Sequence, residues 1–310
     1  MIEKDLIVIG GGAAGMSSGI FASRLGLNTL LLEQLMPGGQ VINSENIEDY
    51  PGFPEGISGA ELTAKMQDQA MANGVDIELS EVTGLSQECD QWMVQTSDGV
   101  KSAKAIIVAG GSSLRKLQVK GEDDLAGAGV SYCATCDGAF FIGQDVCVIG
   151  GGDSALEEAL TLTTFAASVD IFCREENLHG QKTLLDRAVS NDKINIHTNV
   201  EVTEIHGDGM VSGTSLKNLI SGETTRIDLD GVFIFVGLEP NSYYLSTLVE
   251  LDGGGHIKTD SRMRTSKVGL LAAGDIRSES ASQLISAAGD GATAAINAFE
   301  YVRSGNWSTE

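Results

Sequence analysis

The stretch DLIVIGGGAAGMSSGIFASRLGLNTLLLE, residues 5–33, decides the fold. "DLIVIG" is a short apolar run of β-type residues. It leads into Gly10-x-Gly12-x-x-Gly15, then a helical pattern through "MSSGIFASRLG", then a second strand, "NTLLLE", ending in Glu33. A strand, three glycines, a helix and an acidic residue about 20 positions on form the complete dinucleotide fingerprint. The glycines let the backbone approach a pyrophosphate. The helix N-terminus presents amides and partial positive charge to it. Glu33 is placed to accept hydrogen bonds from a ribose 2′-hydroxyl.

The pattern recurs at residues 145–175, DVCVIGGGDSALEEALTLTTFAASVDIFCRE, with Gly150-x-Gly152-x-x-Ala155 at the turn. This is an internal duplication of the βαβ unit. The second copy departs from the first where the ribose acid belongs. An NAD site wants an acid there, and an NADP site wants arginines. Cys173 occupies the position, followed by Arg174, Glu175 and Glu176. Two carboxylates repel a 2′-phosphate. The turn can hold a phosphate, but its selectivity device is altered.

Upstream of the second turn lies Cys133-Ala134-Thr135-Cys136-Asp137-Gly138, the only close cysteine pair in the chain. Such a pair closes into a small disulfide ring and opens again. A dithiol flanked by two nucleotide turns points to electron transfer from a cofactor to a disulfide. A zinc site needs a second pair, and there is none, so no metal is expected. Cys89, Cys147 and Cys173 stand alone, and Cys147 in "DVCVIG" reads as a small buried hydrophobe. His179, His197 and His206 read as surface or loop residues without a partner at metal-ligand spacing.

Other segments supply backbone close to a ligand. "MPGGQ" carries Gly39 and Gln40, and "SAKAIIVAGG" ends in Ala109-Gly110-Gly111. "VDIEL" and "WMVQTSDGV" read as strands, and "NIEDYPGFPEGISGAELTAKMQDQA" runs through two prolines into an amphipathic helix. "INIHTNVEVTEIHG", "GMVSGTSLKNL" and "TRIDLDGVFIFVGLEPN" alternate like antiparallel strands. Near the end, a strand, Gly274-Asp275 and the small-residue helix "SQLISAAGDGATAAINAFEYV" form an arrangement by which a carboxylate holds a flavin ribityl chain. Trp307 in the tail is either a packing contact or an aromatic lid over a ring.

At 310 residues the chain is long enough for two domains. A net charge of −23 argues against nucleic acid and against an anionic membrane surface. No apolar run approaches the roughly 20 residues needed to span a bilayer. The N-terminus runs directly into a strand, leaving no room for a signal peptide, so a cytoplasmic location is expected.

The chain resembles the low-molecular-weight thioredoxin reductases along almost its whole length. The matching segments are "GGGAAG", "PGGQ", "EDYPGFPEGISG", "IIVAGG", "GVSYCATCDGAFF", "GGGDSALEEAL", "VGLEPN" and "LLAAGDI" with "AAGDGATAAINA". The resemblance implies an α/β fold of two Rossmann-like domains of the glutathione-reductase-like, FAD/NAD(P)-binding type, the second inserted in the first. An FAD-binding domain would be built from residues 1–112 and 241–310. An NAD(P)-binding-like domain carrying the CxxC would span 113–240, with flexible joints near 111–113 and 239–241. FAD would be held by Gly10, Gly12, Ala13, Ala14, Gly15, Glu33, Gly39, Gln40, Asn46, Ala109, Gly110, Gly274, Asp275, Gln283 and Leu284, with Trp307 over the flavin. Cys136 would lie against the flavin, Cys133 would attack the partner disulfide and Asp137 would act as the acid.

The same resemblance implies a homodimer acting on thioredoxin or a thioredoxin-like protein. The family's NADPH enzymes carry a basic His-Arg-Arg-x-x-x-Arg stretch, at whose positions stand Cys173, Arg174, Glu175 and His179. NADPH is therefore doubtful, and ferredoxin, which serves a subgroup lacking that stretch, is the expected donor. A conventional NAD(P)H-dependent reductase, a dithiol oxidase and a non-enzymatic flavin-binding redox sensor stand as alternatives. An acidic ferredoxin would need a basic patch, for which "LRKLQVK" (Arg115, Lys116, Lys120) and "SRMRTSK" (Arg262, Arg264, Lys267) are the candidates.

Overall fold

The computed structural model describes residues 3–307. Met1, Ile2 and the tail's last three residues lie outside that range. The chain divides into two compact units. One is built from the residues up to Ser113 together with those from Glu239 onward, and the other is Leu114–Leu238.

In chain order the first stretch forms β1 (Glu3–Ile9), α1 (Ala13–Arg24), β2 (Thr29–Glu33), α2 (Gly59–Ala72), β3 (Asp76–Leu79), β4 (Val82–Glu88), β5 (Gln91–Thr96) and β6 (Gly99–Val108). The middle forms β7 (Ser112–Leu114), β8 (Val130–Ser131), α3 (Ala134–Asp137), β9 (Asp145–Ile149), α4 (Asp153–Leu162), β10 (Ser168–Phe172), α5 (Lys182–Val189), β11 (Ile194–His197), β12 (Val200–Gly207), β13 (Val211–Asn218), β14 (Thr224–Ile227), β15 (Gly231–Ile234) and β16 (Leu238–Pro240). The end forms β17 (Leu270–Ala272) and α6 (Leu284–Ser304).

In the first unit the sheet order is β3-β2-β1-β6-β5-β4, with β17 also paired to β6. β3, β2, β1, β6 and β17 run parallel, and β4 and β5 extend the sheet antiparallel. The apolar runs explain the parallel part, because such strands are covered on both faces. Leu6 and Val8 of β1 enter one core with α1, α2 and α6, while Ile7 and Ile9 enter another on the opposite face. The small residues of α6 have a structural use. A side chain at Gly291 would meet the Ala14 carbonyl oxygen at 2.1 Å, so α1 and α6 pack backbone against backbone. Ser17 and Ser18 of α1 seal that contact by donating to the Ala288 and Gly291 carbonyls.

The second unit holds a five-stranded parallel sheet, β11-β10-β9-β15-β8, and a three-stranded antiparallel sheet, β12-β13-β14. The alternation in "INIHTNVEVTEIHG" and "TRIDLDGVFIFVGLEPN" predicts antiparallel strands, but β11 and β15, which lie in these segments, both belong to the parallel sheet. All four residues of β15 are buried, and an uninterrupted apolar run marks a strand covered on both faces rather than on one. The chain's two crossings between units, β7 and β16, pair with each other.

Candidate functional site

The first glycine-rich turn sits where β1 ends and α1 begins. Gly12 caps α1 with extended backbone, no side chain caps the helix, and its first turn has no acidic residue. The first helical amides are thus left without a side-chain partner, as an anion site needs. Gly10 has φ of +104°, a conformation open to glycine, and a side chain there would strike the Ala109 carbonyl oxygen at 2.3 Å. A side chain at Gly15 would strike the Gly10 carbonyl oxygen at 1.8 Å. Gly12 differs, because only the Gly39 Cα lies near its outward direction, at 3.9 Å. Glu33 Oε2 accepts the Gly11 N–H at 2.6 Å, fixing the acid beside the turn.

The other residues expected around this turn gather there in part. The Gly38 N–H donates to the Gly11 carbonyl, which lays "PGGQ" over the turn with Gly39 beside Gly12. Ala109 is buried at the end of β6 and donates to the Ile9 carbonyl, and the Gly110 carbonyl accepts from Asn241. Gly274 packs on Ala14 and Ala287, Gln283 caps α6, and Leu284 is its first residue. Asp275 accepts from Ser280, and burial pushes its carboxyl above the ordinary range. Gln40 donates its amide to the Ser112 carbonyl, and Ser112 Oγ lies 3.3 Å from the Asp275 carbonyl. Asn46 is exposed and donates to Glu48 at 3.2 Å.

Trp307 is not among them. It lies beyond the C-terminal end of α6, edge-on to Tyr301 with centroids 5.1 Å apart and 5.9 Å from the Arg264 guanidinium. Gln283 stands at the other end of that 21-residue helix, about 30 Å along its axis. Of the two readings of Trp307, the packing contact describes this position.

The dithiol lies in the second unit. Cys133 and Cys136 form a disulfide, with Cys133 as the N-cap of the one-turn helix α3. The Cys136 N–H points at Cys133 Sγ, 3.1 Å away. Asp137 closes the turn and accepts from Ser131 Oγ at 2.6 Å. Glu158 of α4 accepts the Ala134 N–H at 2.6 Å. Sequence reasoning missed Ser131 and Glu158. Ser131 precedes Cys133 by two residues, and Glu158 lies inside the second fingerprint segment, where it reads as one more helix-surface acid.

The second turn retains an uncapped helix start at Gly152, with no atom within 4 Å of an added side chain. Asp153 in its first turn is acidic and accepts the Gln181 N–H at 2.6 Å. The His179 N–H donates to the Gly151 carbonyl at 2.7 Å, so the segment after Cys173 folds back on the turn. The Cys173 thiol donates to Glu175 Oε2 at 3.2 Å and packs against Gly151. That bond holds the Glu175 carboxyl below its ordinary range, and burial pushes the Cys173 thiol up to about 11.

His197 and His206 lie on β11 and β12 rather than in loops, His197 beside Asp170 at 2.7 Å and His206 beside Ser215 at 2.7 Å. No cluster of metal-ligating residues occurs among the described residues. Three of the six cations in the candidate basic patches are paired with carboxylates, namely Lys116 with Asp123, Lys120 with Glu204 and Arg264 with Asp260. No helix of the described residues is long and apolar enough to cross a membrane.

The cysteines differ in reach. Cys89 is exposed, whereas Cys147 and Cys173 are buried. Iodoacetamide at pH 8 should label one cysteine in the oxidised native protein and add the dithiol after mild reduction. Cys147 and Cys173 should react only on denaturation, and peptide mapping that found them labelled in the native protein would contradict this.

Residues 4–292 match the family described as pyridine nucleotide-disulphide oxidoreductase. A thioredoxin reductase of Mycolicibacterium smegmatis is 42% identical over 295 residues, covering 95% of each chain. The bifunctional thioredoxin reductase/thioredoxin of Mycobacterium leprae is 43% identical over 296 residues, 95% of this chain and 65% of that one. The crystal structure of Lactococcus lactis thioredoxin reductase matches with a TM-score of 0.95 at 42% identity, over 97% of this chain and 99% of that one.

Proposed function

The chain belongs to the pyridine nucleotide-disulphide oxidoreductase family, among its low-molecular-weight thioredoxin reductases, and from that premise we propose how it takes up and delivers electrons. Electrons enter at FAD held by the first unit, from a ferredoxin-type donor rather than NADPH. They leave through Cys133 and Cys136 to the disulfide of a thioredoxin or thioredoxin-like protein. The enzyme class itself, a flavin-dependent thioredoxin-disulfide reductase, follows from the relatives.

The first unit fits FAD. Its uncapped helix start and the open face of Gly12 suit a pyrophosphate, Glu33 suits a ribose, and Asp275 suits the ribityl hydroxyls. When bound, FAD supplies a carrier able to collect electrons singly or in pairs. Ser280 orients the Asp275 carboxylate for its hydroxyl donors.

The disulfide chemistry balances on the chain's own residues. Two electrons and two protons convert Cys133–Cys136 to two thiols. The Cys133 thiolate, stabilised by the Cys136 N–H, attacks one sulfur of the partner disulfide and expels the other as a thiolate, which takes a proton. Cys136 then attacks Cys133 Sγ, re-forms the ring and expels the second partner thiolate, which takes the second proton. Asp137 serves as the proton carrier. The fused thioredoxin of the Mycobacterium leprae relative supports thioredoxin as the partner.

The donor assignment rests on the Cys173–Glu175 contact. Where an NADP-selective site needs cations, this chain has a thiol bonded to a carboxylate that is held ionised, with Glu176 next to it. One observation favours the second reading, NAD(P)H as donor, and that is the unobstructed helix start at Gly152. Anaerobic mixing tests both. Reduced ferredoxin should bleach the flavin band within seconds and micromolar NADPH should not. Fast bleaching by NADPH would overturn the assignment. A Glu175→Arg, His179→Arg double variant should gain NADPH oxidation by about an order of magnitude or more, since each replaced group restores a phosphate contact.

A further inference from the structure

We propose that Ser131 is a positioning residue for the proton transfer, its hydroxyl turning between two acceptors so that Asp137 is held in both of its protonation states. The proposal rests on the reading of Asp137 as the proton carrier. Ser131 ends β8 and is buried, with 5% of its surface exposed. Its Oγ lies 2.6 Å from Asp137 Oδ2 and 3.3 Å from the Cys133 carbonyl oxygen, and it accepts the Cys133 N–H at 3.1 Å.

A serine hydroxyl has one proton to give and two lone pairs to receive with. While Asp137 is ionised, the Ser131 proton belongs on the carboxylate, at the shorter and charge-assisted distance. One lone pair takes the Cys133 N–H. When Asp137 carries a proton, its carboxyl donates to the second lone pair of Ser131. The Ser131 proton then turns to the Cys133 carbonyl. Both states are fully hydrogen-bonded, and no heavy atom has to move between them. A carboxyl lacking this anchor swings freely, because the terminal torsion of aspartate is broad.

The surroundings leave this role to Ser131. Among the described residues Ser131 is the one side chain that donates to the Asp137 carboxylate. From α4, which packs against α3, the charged group facing the turn is Glu158, engaged with the Ala134 N–H, while Glu157 is exposed. Leu162 and Phe165 approach Gly138 with apolar atoms. The Tyr132 hydroxyl, on the link from β8, donates to Glu122 at 2.6 Å. The remaining titratable groups on the turn are the two cysteines.

The test uses the holoenzyme, reduced anaerobically with dithionite and mixed with oxidised thioredoxin, with thioredoxin thiols followed in a single turnover. This removes the natural donor from the measurement. Ser131→Ala should lower the saturating rate about 10-fold and leave the half-saturating thioredoxin concentration unchanged. Ser131→Thr, which keeps the hydroxyl, should stay within about 2-fold of the parent. In an Asp137→Asn background Ser131→Ala should cost nothing further, because a residue acting through Asp137 has nothing left to hold. An undiminished rate in Ser131→Ala, an equal loss in the Asp137→Asn background, or a change confined to half-saturation would each overturn the proposal. An Asp137→Asn variant at the parent rate would instead refute the carrier role of Asp137. If the alanine variant does not fold, Ser131→Gly, which also lacks the hydroxyl and adds no thiol, is read in the same way.

Discussion

Replacing Cys136 by serine is expected to abolish thioredoxin reduction, by about 10³-fold or more, while the protein keeps its flavin and becomes covalently trapped on its partner. The expectation comes from the asymmetry of the ring. Cys133 Sγ receives the Cys136 N–H, so the negative charge of an attacking thiolate is stabilised on Cys133. After attack on the partner disulfide, release needs a second sulfur within reach of Cys133 Sγ. The parent supplies it three residues along, with the two Cα atoms 5.3 Å apart. A serine oxygen does not resolve a mixed disulfide. Cys147 and Cys173, the other thiols of the same unit, are buried and cannot stand in. A non-reducing gel should therefore show a one-to-one adduct of Cys136→Ser with thioredoxin, dissolved by dithiothreitol. Cys133→Ser should be equally inactive and form no adduct. An adduct with Cys133→Ser and none with Cys136→Ser would reverse the assignment of the attacking sulfur.

The architecture was legible because each βαβ unit is written locally. Apolar runs at β1 and β9, glycines at the turns and helical patterns at α1 and α4 lie within about 30 residues of each other. The direction of a strand is not written locally. β15 reads "GVFI", and its neighbours β9 and β8 come from some 80 to 100 positions earlier, so only long-range pairing reveals that it is parallel. The same division holds at the site. Cys133, Cys136 and Gly12 announce themselves by type and spacing. Ser131 and Glu158 do not, because a serine before a turn and a glutamate on a helix are common, and their roles arise from where Oγ and Oε2 point. Trp307 shows the converse. A tail tryptophan suggested a ring to cover, whereas the chain offers it Tyr301 and Arg264 at the far end of α6.

The second large effect should come from a single side chain added at Gly12. That residue has φ of −76° and ψ of −171°, extended backbone that any amino acid adopts. Nothing but the Gly39 Cα lies within 4 Å of an added Cβ, at 3.9 Å, so Gly12→Val should fold. Its branched side chain would, however, stand between the α1 amides and a pyrophosphate. Flavin affinity should fall by about 10³-fold or more, and the variant should purify colourless. Gly15→Ala provides the contrast, since its methyl group would lie 1.8 Å from the Gly10 carbonyl oxygen. It should lose flavin and also about 1–3 kcal/mol of stability, as overpacking does. Gly152→Val places the same obstacle on the second turn, where nothing lies within 4 Å of the added atom. That variant should stay yellow and turn over normally with reduced ferredoxin, because the flavin and the dithiol are untouched. If instead the parent reduced thioredoxin with NADPH and Gly152→Val, still yellow, lost that activity, the second turn would be holding the donor nucleotide, and the ferredoxin assignment would fall with it.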